Sequence, residues 1–73
     1  MSRLHDKTLR ALLTGGPMSR DALISATGLY TFEADEVIRT LITAGLIADD
    51  VTAATNRLSL TGRGADAARE VTP

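Results

Sequence analysis

The sequence predicts a mainly α-helical domain carrying one small β-hairpin. Three observations carry that expectation. Apolar residues recur at three- and four-residue spacing along separate segments, the pattern of helices with one buried face. Glycines or a Gly-Gly-Pro break stand where those segments stop. Near the end of the chain, two short apolar stretches flank a polar loop, and the second alternates with period two, as a strand does. With 73 residues, the chain is expected to form a single domain spanning 1–73.

The elements follow in order. Ser2 can cap a first helix from about Arg3 to Thr14, with Leu4, Leu9, Leu12 and Leu13 on its apolar face. Gly15-Gly16-Pro17 ends it, because glycine allows a left-handed residue and proline cannot continue a helix. Met18 stands alone, long enough for one bridge in a small sheet. Ser19 caps a second helix, Arg20 to Ala26, with Leu23 inward and Asp21 favouring the helix dipole. Thr27-Gly28-Leu29 is a tight turn. A third helix runs from Phe32 to Ala44, burying Ala34, Val37, Ile38 and Leu41, and Gly45 ends it.

Leu46-Ile47-Ala48 reads as a first strand and Arg57-Leu58-Ser59-Leu60 as its return, with a polar loop from Asp49 to Asn56. Thr61 caps a last helix to about Val71, with Ala65 and Ala68 on its close-packing side, and Thr72-Pro73 is a frayed end. The core must be aliphatic, since Tyr30 and Phe32 are the only aromatic residues.

Composition excludes several classes of function. There is no cysteine and one histidine, which removes disulfide scaffolds, thiol chemistry and the usual zinc sites. His5 lies beside Asp6 with no nucleophile at a useful spacing and reads as a surface or half-buried helix residue. The "TGG" and "TGRG" stretches are too short to cradle a phosphate; both fall at helix ends, where glycine needs no further reason. No enzyme, metal or cofactor is expected. The start "MSRLHDKTLR" lacks the apolar core of a signal peptide, and no apolar run nears the roughly 20 residues that cross a bilayer. A cytoplasmic protein without membrane contact is expected.

Helix, bridge, helix, turn, helix, hairpin, helix is the order of a winged helix-turn-helix, and the chain resembles that superfamily, including its MarR-like and ArsR-like bacterial regulators. "GPMSRDAL" resembles the start of the second helix and "ATGL" the turn. "VIRTLITAGLI" resembles the third helix running into the wing, and "RLSLTGRG" the second wing strand running into the last helix. The resemblance implies that Tyr30, Thr31, Phe32, Glu33, Asp35, Glu36, Arg39 and Thr40 lie on the face that DNA-binding members turn to the major groove.

That face departs from the family pattern, which favours Ser, Thr, Gln and Arg. Glu33, Asp35 and Glu36 put three carboxylates in about one turn, where phosphates repel them. The net charge of −1 supplies no basic footprint. Two readings result. In the first, Tyr30, Phe32, Glu33, Asp35 and Glu36 bind a protein partner with a basic surface, as an inhibitor seated in a nucleic-acid-binding groove would. An aromatic pair beside charge is an interface pattern. In the second, the chain is a DNA-binding regulator, in keeping with a homodimer. Its duplex contacts are Arg20, Thr31, Arg39 and Thr40, with Asn56 and Arg57 on the wing. Plainer accounts stand beside both: acids early in a helix stabilise its dipole, and Phe32 can fold back as a hydrophobic staple.

Overall fold

A computed structural model describes residues 3–50 and 57–71. The Ser2 cap, the loop residues 51–56, including Asn56, and the Thr72-Pro73 end lie outside them. Six elements occur in the order α1 (Arg3–Gly15), α2 (Arg20–Thr27), α3 (Thr31–Thr43), β1 (Ile47–Asp50), β2 (Arg57–Leu60) and α4 (Gly62–Val71).

Helix α1 is the centre of the molecule and packs against α2, α3, α4 and β2. Leu9 and Leu12 are buried on it, and Leu4 and Leu13 are partly buried against the core. It runs one residue further than the sequence predicts. Gly16, at φ 75°, closes it by donating its N–H to the Leu12 carbonyl at 2.9 Å. Two threonines are buried as deeply as the leucines. Each is satisfied inside its own helix: the Thr8 hydroxyl donates to the Leu4 carbonyl and the Thr27 hydroxyl to the Leu23 carbonyl, both at 2.9 Å. Burial costs them little because no donor is left unmade.

The second and third helices form the helix-turn-helix. Ser19 caps α2 as expected, its hydroxyl accepting from the Ala22 N–H at 3.2 Å. Gly28 takes the left-handed conformation at φ 70°, which turns the chain into α3. Ala34, Val37, Ile38 and Leu41 are the buried stripe of α3, as the spacing predicts.

Helix α3 begins and ends one residue before the predicted bounds. Its C-terminal end is a Schellman motif: the Gly45 N–H bonds the Ile42 carbonyl at 3.0 Å and the Leu46 N–H bonds the Leu41 carbonyl at 2.9 Å. That use of the Leu46 N–H is why β1 starts at Ile47 rather than Leu46. The strand then continues to Asp50, past the predicted limit at Ala48.

Strands β1 and β2 pair antiparallel, with Ile47 opposite Leu60 and Asp50 opposite Arg57. Met18 bridges the far side of β2, exchanging backbone bonds with Leu58 at 3.1 and 2.7 Å. The hairpin is thus tied to the segment before α2 as well as to the end of α3.

Helix α4 corrects one expectation. Gly64 is not a helix-end glycine with no further task. It is buried, and a β-carbon there would stand 1.7 Å from the Leu46 carbonyl oxygen. The close-packing side of α4 is therefore Gly64 and Ala68, with Ala65 only half-buried. The Thr61 hydroxyl accepts from the Gly64 N–H at 3.0 Å and donates to the Gly45 carbonyl at 2.7 Å, with the Leu46 carbonyl at 3.2 Å. One side chain thus caps α4 and holds it to the turn after α3. Among the described residues every buried hydrophobic is aliphatic, as the composition requires.

Candidate interface on the third helix

With its buried stripe turned to the core, α3 must present the opposite side outward. At about 100° per residue, Phe32, Glu36, Arg39 and Thr43 stack as one outer ridge. All four are exposed. Thr43, and the exposed Ile42 beside it, were not among the residues expected at this face. The i, i+4, i+7, i+11 period counted from Phe32 would have found Thr43.

Both aromatics stand at the N-terminal tip of this ridge. Tyr30 is 71% exposed and Phe32 is 72% exposed. Phe32 does not fold back as a staple. Its position on the helix points it away from the core, and it stacks on Tyr30 with ring centroids 5.9 Å apart and planes 5° from parallel. That offset stack recovers some apolar contact that the core does not provide.

The three carboxylates prove unequal. Glu33 accepts the Tyr30 backbone N–H at 3.1 Å, the reach-back half of a capping box. Asp35 is ion-paired with Arg20 at the start of α2. Glu36, exposed on the ridge, makes no ion pair among the described residues. A face read as a uniform block of negative charge therefore carries one carboxylate with no local task.

The basic and polar candidates separate in the same way. Arg20 is engaged with Asp35. Arg39 is exposed with no ion pair among the described residues. Arg57 is exposed on the hairpin. Thr31 is exposed at the helix start, whereas the Thr40 hydroxyl is spent on the Glu36 carbonyl at 2.9 Å. Arg20, Asp35, Arg39, Ile42 and Asp49 line an open cleft of about 290 Å³ where α2, α3 and the hairpin meet. A second cleft of about 400 Å³, between α1 and α3, has His5 and Phe32 in its wall. Among the described residues no group of three or more His, Cys, Asp or Glu could hold a metal ion. No helix among them is long and apolar enough to cross a membrane.

No protein-family model and no curated protein matches the sequence. Two solved structures do resemble it. RV1404 from Mycobacterium tuberculosis superposes with a TM-score of 0.87 at 24% identity, covering 97% of this chain and 50% of that one. The adhesin competence repressor AdcR from Streptococcus pyogenes superposes with a TM-score of 0.79 at 19% identity, covering 97% of this chain and 55% of that one. The chain thus spans about half the length of each. Both are winged-helix proteins, and the order of four helices, the two-stranded wing and the superposition agree: this chain has the winged helix-turn-helix fold.

Proposed function

We propose that the chain is a non-enzymatic, DNA-binding module of a transcription regulator, reading duplex DNA through α3 and the hairpin. The acids on α3 incline the sequence towards the inhibitor of a basic surface, and the geometry favours duplex DNA instead. One observation carries the preference. The Arg20–Asp35 pair and the Glu33 reach-back bond give two of the three acids partners within the chain. Arg20 neutralises Asp35, while Glu33 keeps its charge at the helix N-terminus, so the electrostatic objection to duplex falls from three carboxylates to Glu33 and Glu36, with Arg39 one turn from Glu36 on the ridge. Arg39 and Arg57 are the residues that would meet phosphates, with Thr31 at the opposite end of α3 as a further polar contact. The likeness to a protein named as a repressor supports the same reading. Two half-sites would need two copies, so a homodimer, and a cytoplasmic location, go with this proposal.

The test is duplex binding as a function of salt. Phosphate contacts release counterions, so affinity should fall as salt rises, and R39A and R57A should each flatten the slope by about one unit. Absence of any duplex binding at low salt would defeat the proposal.

The protein-partner reading keeps one specific support: two aromatics stacked and exposed at a helix tip are the kind of anchor that protein interfaces use. It would use Tyr30, Phe32 and Glu36 most directly, with Glu33 and Asp35 at the rim.

A further inference from the structure

We infer that α3 selects a thymine and a neighbouring cytosine in the major groove, Phe32 meeting the thymine methyl and Glu36 the cytosine amino group. The inference rests on the DNA-binding reading and adds what sequence the module would read.

The N-terminal residues of a recognition helix are the ones that reach base edges. In this chain that position holds neither a base nor an amide. It holds Phe32, the second residue of α3, 72% exposed and backed by Tyr30 at 5.9 Å. The major groove offers an apolar ring one apolar partner, the C5-methyl of thymine. Against guanine, adenine or the cytosine amino group, the ring would strip water from polar atoms and return no hydrogen bond, which is costly. Phe32 therefore discriminates by what it cannot satisfy as well as by what it touches. The stack on Tyr30 holds the ring at the tip, so little side-chain freedom remains to be lost on docking.

Glu36 stands one turn along the same ridge, about 6 Å further by the helical rise. It is exposed, and its carboxylate has no ion-pair partner among the described residues. An ionised carboxylate only accepts hydrogen bonds. In the major groove, cytosine N4 and adenine N6 donate, but adenine sets the N7 acceptor beside its donor, which repels a second acceptor. Cytosine is the match. With base pairs about 3.4 Å apart, the two readouts fall one or two pairs from each other.

The experiment uses the whole chain and a pool of random duplexes enriched by binding at low salt. Enriched sites should share a thymine and a cytosine one or two pairs apart. Each thymine is then replaced by deoxyuridine, which removes only the methyl. At one position the affinity should drop about fourfold, the value of one buried methyl group. F32A, folded because the ring is exposed, should bind thymine and deoxyuridine sites equally. E36Q should move the preference at its position from cytosine to adenine, because an amide offers both a donor and an acceptor. Enrichment without a common sequence, or equal binding of all thymine and deoxyuridine sites, overturns the inference and leaves the DNA-binding reading standing. No duplex binding at all removes that reading, and this assignment with it.

Discussion

Arg20, the first residue of α2, donates from its guanidinium to the Asp35 carboxylate in the second turn of α3. The pair spans fifteen positions and joins the two helices of the helix-turn-helix. Its side chains are 52% and 42% exposed, so it contributes little to stability, about 0–1 kcal/mol. Its effect is on the field in front of α3, where it holds one negative and one positive charge together.

D35N removes that carboxylate and frees Arg20. Under the proposed function, duplex affinity at low salt should rise and the salt slope should steepen by about one unit. The melting temperature should move by only a few degrees at most. A salt titration and a thermal melt of the same variant check both halves.

Gly64 should be the least replaceable glycine in the chain. Alanine there meets the Leu46 backbone at 1.7 Å, and backbone cannot swing aside as a flexible side chain does. Overpacking usually costs about 1–3 kcal/mol, and G64A should lie at or beyond the top of that range. A core this small supplies only about 3–5 kcal/mol, so the variant should be largely unfolded at room temperature. G62A, two residues earlier in open space, should melt at or above the parent temperature. Circular dichroism melts of the two variants side by side make the comparison.

Thr61 joins two parts of the fold with one hydroxyl. T61V keeps the shape and removes both the cap on Gly64 and the bond to the Gly45 carbonyl. The expected loss is about 1–2 kcal/mol, with T61S close to the parent. Chemical denaturation of the three proteins measures it, and α4 amide exchange should speed up in T61V ahead of global unfolding.

Helices were legible because local signals agree with the global packing. Ser19 caps where it should, Gly28 and Gly45 turn left-handed where the stripes end, and the 34, 37, 38, 41 spacing fixes the register of α3. Met18 could be read as a bridge because a lone apolar residue between two breaks has few other uses. What stayed hidden depends on distance in space rather than along the chain. Gly64 approaches Leu46 across eighteen positions, and nothing in "TGRG" distinguishes its second glycine from its first. The Arg20–Asp35 pair could not be seen until α2 and α3 were docked, so three acids looked alike when one was already neutralised. Phe32 was ambiguous for another reason. An aromatic at a helix start can turn inward or outward, and packing decides, not propensity.

The bridge from Met18 to Leu58 gives β2 partners on both sides, so β1 is the outer strand of the arrangement. An outer strand offers unpaired backbone groups to any other chain that passes, and identical molecules in a crowded solution are the ones that pass most often. Strand β1 carries the exposed Asp49 close to its end. When two copies approach along this edge, like charges meet before backbone bonds can form. Asp49 then acts as a guard against self-templated aggregation.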